Sequence, residues 1–385
     1  EILFSPELEK QKGVLFTLEN VSTNNSNKVV ARTWEQISQT ILNNWSLKEV
    51  KGLIEAIDNT VYTDNIEKLP GRGNSTVYNL YLPNGCKSVL KIYPEVSYHD
   101  RLKAEFTSTK ILNNLDISNV QIPISSNKDL GVATYEWIEG EKVTKYGKKE
   151  ISQALSFLSV LQDNSTEPSF NNFPMAEDAC PSGIDIENQI KRRLSQLDEA
   201  MNKHPELDKF LRDEFTPLLN EIVLWSQLVW PSNYGYKTPI KRGELVLSPS
   251  DFGFHNALLS QAGNLTFYDL EYFGWDDPVK LIADFSHHAA MNLTQEMEEF
   301  WFSGASLIFG KHLLNRLSAA WPLYGLNWCL IILNEFKDDV WSRRCAADDS
   351  IENIRDELLS TQLAKSRNKL NSLAWSYKNK YYWKV

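Results

Sequence analysis

Near residue 142 the hydrophobic pattern of this chain changes period, and that change limits the fold more than any other feature. Upstream, Thr76 to Leu82 and Ser88 to Tyr93 read as strands joined by Pro83-Asn84-Gly85, whose Asn-Gly pair is a strong hairpin signal. Gly131 to Ile138 reads as another strand. Asp100 to Leu115 reads as a helix with Leu102, Phe106, Thr109 and Leu112 on one face. These segments describe a five-stranded sheet with one helix. Downstream the spacing is helical, in Ile151-Leu155-Leu158, Ile190-Leu194-Leu197-Met201 and the runs 206–229, 294–308, 311–320 and 350–375. The only strands expected in this half form a hairpin carrying Asp251 and Asp269. The pattern is that of an α+β chain in three parts: an extension of mixed strand and helix over 1–55, a β-rich lobe over 56–140 and a helical lobe over 141–385.

In the extension, Val14 to Leu18 reads as a strand, Trp34 to Trp45 as a helix, and Ser46 as the N-cap of the next helix. A length of 385 residues suits two lobes, and 42% apolar residues are ample for a large core. The net charge of −10 argues against a general nucleic-acid binder. Cys86, Cys180, Cys329 and Cys345 are scattered without a CxxC pair, which fits reduced thiols in a cytoplasmic protein better than a disulfide framework or a zinc site. No apolar run approaches the ~20 residues of a membrane span, so no membrane insertion is expected. The oligomeric state is not legible.

Around Asp251 an apolar strand runs into a polar loop, Ser248-Pro249-Ser250-Asp251-Phe252-Gly253-Phe254-His255-Asn256. A further strand then delivers Asp269 in Tyr268-Asp269-Leu270-Glu271. Two carboxylates and a carboxamide so grouped suit phosphoryl transfer, with one carboxylate orienting a hydroxyl and oxygen ligands for Mg²⁺. Upstream, Gly71-Arg72-Gly73-Asn74-Ser75 is a turn whose glycines let backbone N–H groups approach phosphates, although such turns are commonly turns and nothing more. Lys91 sits in the apolar run Val89-Leu90-Lys91-Ile92, and Glu105 on the apolar side of the following helix. They are either an ion pair or, for Lys91, a solvated edge-strand cation.

Asp277 before Pro278 reads as an N-cap, and Asp284 as structural. His287 and His288 are adjacent, so on a helix they point about 100° apart and do not readily share one metal ion. The acidic residues Asp178, Asp185 and Glu187 would suit a cationic substrate.

The ordered series Gly71 to Asn74, Lys91, Glu105, Tyr135-Glu136-Trp137-Ile138-Glu139-Gly140, Asp251 to Asn256, Asp269 and Gly274 to Asp284 resembles the aminoglycoside phosphotransferase and choline kinase superfamily over about residues 60 to 290. That resemblance implies a protein-kinase-like fold of two lobes and an ATP- and Mg²⁺-dependent transfer of phosphate to a hydroxyl of a small molecule. It implies that Gly71, Gly73, Asn74 and Ser75 cover the phosphates, that Lys91 binds them with Glu105 behind it, and that the backbone from Glu136 to Ile138 binds adenine. By the same resemblance Asp251 is the catalytic base, and Asn256 and Asp269 hold Mg²⁺. The acceptor is a sugar, an aminoglycoside or an amino alcohol. Pro249-Ser250 stand where the family usually has His-Gly or His-Arg. That departure supports the alternative of an inactive pseudokinase that binds nucleotide or acts as a scaffold. Glu271 is expected at most beside the metal.

Overall fold

The computed structural model describes residues 2–3, 14–18, 29–33, 47–57, 65–70, 75–83, 85–94, 100–311, 313–347 and 353–379. The helix expected over 34–45, the cap at Ser46 and the turn at 71–74 lie outside them. The chain divides into two compact units. One comprises Glu1–Leu102, Ile124–Glu136 and Ser342–Glu352, and the other Lys103–Pro123, Trp137–Trp341 and Asn353–Val385.

In the first unit β1 (Ile2–Leu3), β2 (Val14–Leu18) and β3 (Val29–Thr33) form a three-stranded sheet. Helix α1 (Leu47–Ile57) follows. Strands β4 (Asn65–Lys68), β5 (Thr76–Tyr81) and β6 (Lys87–Ile92) come next. With β7 (Pro123–Asn127) and β8 (Val132–Glu136), which lie beyond helix α2 (Arg101–Asn114), they make the expected five-stranded sheet in the order β4-β5-β6-β8-β7. The β5–β6 hairpin closes through Gly85 at φ +80°, with Gly85 N–H donating to Leu82 O at 3.0 Å. Val50, Leu53 and Ile54 of α1 pack with Tyr78, Leu80, Leu90, Ile92 and Val132. The helix packed in the sheet's core is thus α1. From Lys103 onward α2 belongs to the second unit, because Leu112 joins the larger core.

The second unit continues with β9 (Glu141–Lys142), α3 (Lys148–Asp163), α4 (Gly183–Ser195), α5 (Asp198–Lys203) and α6 (Pro205–Lys209). A π-helical segment, Phe210–Phe215, leads into α7 (Thr216–Val229). Then come β10 (Val246–Ser248), β11 (Ala257–Leu259), β12 (Leu265–Phe267), β13 (Gly274–Asp276) and α8 (Pro278–His287). The chain ends in α9 (Gln295–Phe309), α10 (Leu313–Ile332), α11 (Asp338–Ala347) and α12 (Arg355–Asn379).

The helix starts obey capping rules. Ser182 accepts from Asp185 N–H, Thr294 from Met297 N–H, and Asp277 from Val279 N–H with Pro278 in the first turn. Helix α10 outruns its expected end and passes through Pro322, because it is wrapped by the core: Ala319, Ala320, Leu323, Tyr324 and Leu326 are fully buried. Side chains serve carbonyls beside the proline, with Ser226 Oγ donating to Ala319 O at 2.8 Å and His287 Nε2 to Trp321 O at 3.1 Å.

The strands near the two aspartates pair differently from the expected single hairpin. β10 pairs antiparallel with β13, whereas β11 pairs with β12 and with β9. Asp251 therefore follows a strand of a two-stranded sheet, and Asp269 follows a strand of a three-stranded one. Gly274 permits the first of these, since a Cβ there would lie 2.4 Å from Ala176 N. All four cysteines are free thiols, and no helix among the described residues is long and apolar enough to cross a membrane.

Candidate active site

Asp251 stands at the end of a buried strand and is held there from both sides. Val246, Leu247 and Ser248 are buried before it. Phe252, just after it, packs among Phe157, Phe267 and Phe285, at ring-centroid separations of 5.8, 4.9 and 5.7 Å. Pro249 is buried as well, Ser250 and Asp251 are half-buried, and the Asp251 side chain keeps 34% exposure. Ser250 adopts φ +66°, a left-handed conformation that costs a non-glycine residue roughly 1–2 kcal/mol. Its bonds offset that strain: Ser250 N–H donates to Ser248 Oγ at 3.0 Å, and Ser250 Oγ donates to Glu177 O at 3.3 Å and lies 3.5 Å from Lys280 Nζ. Asp269 is also left-handed, at φ +63°.

The spacing from Asp251 to Asn256 has a structural reason. Asn256 Nδ2 donates back to Asp251 O at 3.0 Å and lies 3.4 Å from Asp251 Oδ2, closing the loop on itself. Tyr268 N–H donates to Asn256 O at 3.0 Å across the open end of the β11–β12 hairpin, so Asp269 comes one residue beyond Asn256's partner.

Two histidines complete the setting of Asp251. His255 Nε2 lies 3.1 Å and His288 Nε2 3.2 Å from Asp251 Oδ1, with the two rings stacked at 3.8 Å and 8°. Ala290 N–H donates to His288 Nδ1 at 3.0 Å, which fixes His288 as the tautomer protonated on Nε2 and hence as a donor to Asp251. The three groups' ligand-type atoms lie within 4.8 Å of one another. Both Nε2 atoms are already directed at the one oxygen, Asp251 Oδ1, so the arrangement is a hydrogen-bonded clamp. Burial opposes ionisation of Asp251, but the hydrogen bonds from His255 and His288 outweigh it and hold its carboxyl far below the usual range. Burial keeps His288 below the ordinary histidine pKa. His287, its neighbour, faces elsewhere: its ring lies 4.0 Å from Trp321.

The clamp is part of a closed circuit. The His288 ring meets Trp328 at 4.4 Å, Trp328 Nε1 donates to Asp284 Oδ1 at 2.8 Å, and Asp284 pairs with Lys280 at 2.9 Å. Lys280 also lies 3.3 Å from Asp276 Oδ2 and reaches Ser250, which returns the circuit to Asp251. Burial works against the Lys280 charge, but Asp284 and Asp276 hold the ammonium protonated well above its ordinary range. Lys280→Met would strand two carboxylates around a buried site. It is expected to cost about 3–5 kcal/mol in urea unfolding.

The other expected residues fall as follows. Lys91 is buried in β6 of the first unit, its Nζ 5.0 Å from the centre of the Tyr93 ring, and Tyr93 OH lies 2.7 Å from Tyr135 OH. Glu105 lies in the second unit, where its carboxylate and those of Asp269 and Glu271 have oxygens within 4.8 Å of one another. Glu105 and Glu271 are buried. Ser75 precedes β5, Glu136 ends β8 exposed, and Ile138 is half-buried, while Gly71, Gly73 and Asn74 lie outside the described residues. The acidic residues expected to suit a cationic substrate are otherwise engaged. Asp178 pairs with Arg192 and Arg193, Asp185 bonds Ser182, and Glu187 binds Lys191, Gln227 and Tyr236.

Sequence reasoning missed His255, His288 and Lys280. His255 precedes Asn256 directly and carried a signal by position. His288 approaches only through the turn after α8, which no local pattern announces.

No family model and no curated protein matches the sequence. Solved structures do match. Spectinomycin phosphotransferase APH(9)-Ia, in complex with ADP and spectinomycin, aligns with a TM-score of 0.58 at 13% identity over 84% of this chain and 98% of that one. The APH(2")-IIa of a gentamicin complex aligns at 0.52 with 15% identity, over 84% and 96%. Choline kinase from Cryptosporidium parvum Iowa II aligns at 0.51 with 13% identity, over 84% and 99%. The chain therefore has the α+β fold, sheet unit and helical unit, of the aminoglycoside phosphotransferases and choline kinases.

Proposed function

We propose that the chain is an ATP- and Mg²⁺-dependent phosphotransferase acting on a hydroxyl of a small molecule. The observation that carries this reading is Asp251: a carboxylate one-third exposed, locked by Asn256, His255 and His288, on a fold whose solved examples are small-molecule kinases. With both histidines on Oδ1, the other oxygen is left to receive the acceptor hydroxyl. So weak a base orients that hydroxyl and takes its proton late, which suits the loose transition state of phosphoryl transfer.

The metal-binding assignment rests on donor chemistry. Asp269 and the carboxamide oxygen of Asn256 offer the donor type that Mg²⁺ takes, and a cation would relieve the repulsion among the clustered carboxylates of Glu105, Asp269 and Glu271. Bound there, Mg²⁺ would neutralise charge on the phosphates. Lys91 and the segment 71–75 are assigned to the phosphates, Glu105 to positioning, and the backbone from Glu136 to Ile138 to adenine. The cytoplasm supplies the nucleotide.

Incubation with Mg·ATP and a panel of sugars, aminoglycosides and amino alcohols should give ADP and a phosphorylated acceptor by mass. An adenylylated product with pyrophosphate, or no acceptor-dependent turnover at all, contradicts the proposal. His288→Gln should lower kcat by about 10- to 100-fold with little change in the KM for ATP. The loss of one hydrogen bond that keeps Asp251 acidic should also move the acidic limb of the rate profile to higher pH. An unchanged profile would show that the clamp does not act on Asp251.

A further inference from the structure

Below His288 the second unit contains a cavity of about 630 Å³, formed where α9 and α12 meet the end of α8. His288 lines it while its Nε2 lies 3.2 Å from Asp251 Oδ1, so one imidazole ring joins the cavity wall to the proposed catalytic carboxylate. Four charged side chains line it, Glu298 and Glu299 from α9 and Lys365 and Lys369 from α12; Glu299 and Lys365 are exposed, Glu299 accepting from Gln295, whereas Glu298 and Lys369 are half-buried. Among the described residues neither side chain forms an ion pair or a hydrogen bond. Both have nonetheless lost much of their water. Burial raises the Glu298 carboxyl to about 7 and lowers the Lys369 ammonium below its ordinary value.

A half-buried cation and anion that share a cavity would ordinarily close on each other. These stand on separate helices and feel each other's charge without forming an ion pair, which leaves each able to take a partner brought from outside. Asn292, Asn368 and the exposed indole of Trp375 add hydroxyl-binding amides and an aromatic wall.

We infer that this cavity receives the acceptor, and that the acceptor is a hydroxylated zwitterion whose ammonium meets Glu298 and whose acidic group meets Lys369, the class of an amino sugar acid. This rests on the kinase reading for the word acceptor, but the binding itself does not. The inference narrows the acceptor beyond a purely cationic amine or a neutral sugar, because neither would satisfy both charges.

The test is calorimetric titration of the full chain, without nucleotide, with four matched pyranoses: 2-amino-2-deoxyglucuronic acid, glucosamine, glucuronic acid and glucose. The aminouronic acid is expected to bind about tenfold or more tighter than each of the others. Glu298→Gln should reduce its affinity to that of glucuronic acid, and Lys369→Met to that of glucosamine. Equal binding of glucosamine and the aminouronic acid, or no binding of any of the four, overturns the inference, and this comparison needs only the wild type. Mg·ATP titrated in parallel separates the two readings. Intact nucleotide binding without a zwitterion preference rejects the acceptor class alone, whereas absent nucleotide binding rejects the kinase and leaves the cavity result standing.

Discussion

Asp251→Ala is expected to lower kcat by about 10³-fold or more while leaving Mg·ATP affinity within a few-fold. The carboxylate is placed to receive the acceptor hydroxyl and is clamped by groups from its own loop and from the turn after α8. Its removal takes away orientation and the proton's destination together, and neither is needed to hold nucleotide. The fold should survive, because Asp251 is one-third exposed and its loop is anchored by Phe252 and Phe254, which stay buried. Steady-state rates beside a nucleotide titration on the same sample check both halves. A variant that loses nucleotide affinity as steeply as turnover would place Asp251 in the metal site.

Asp269→Ala is expected to weaken Mg·ATP binding by about a hundredfold. Asp269 lies one residue beyond the Tyr268–Asn256 backbone bond and shares its oxygen cluster with Glu105 and Glu271. The loss should appear in Mg²⁺-dependent affinity and be absent for nucleotide titrated without metal. Equal losses with and without Mg²⁺ would assign Asp269 a purely structural part.

The sheet and the helices were legible because their periods are local. Gly85 closes the β5–β6 hairpin, and caps such as Asp277-Pro278 mark where helices begin. The pairing near Asp251 was not legible. β10, β11, β12 and β13 are each three residues long, so the alternation fits several partners. What decides between them is the close approach of Gly274 to Ala176, a contact nearly a hundred residues apart in sequence. Helix α10 runs past the expected 311–320 and through Pro322 because the residues flanking the proline are fully buried, which outweighs a local helix breaker.

The site divided along the same line. Asp251 and Asn256 were readable because they stand five positions apart and one bonds the other. The absence of a histidine before Asp251 looked like a loss of support for the loop. The structure supplies that support from elsewhere: Lys280 and Glu177 brace Ser250, and His255 and His288 hold Asp251. Only the packing of α8 against α10 brings these together, through Trp328 and Asp284. The partners of Asp178 and Glu187 were hidden for the same reason, since Arg192 and Tyr236 reach them through more distant contacts, whereas Asp185 bonds Ser182 locally at the start of α4.

The central claim, a nucleotide site of the kinase type, is tested most directly by isothermal titration of ATP into the wild-type chain with and without Mg²⁺. The account predicts saturable binding of one nucleotide that Mg²⁺ strengthens. A folded sample that takes up no heat from Mg·ATP would contradict it and leave the likeness to the phosphotransferases one of architecture.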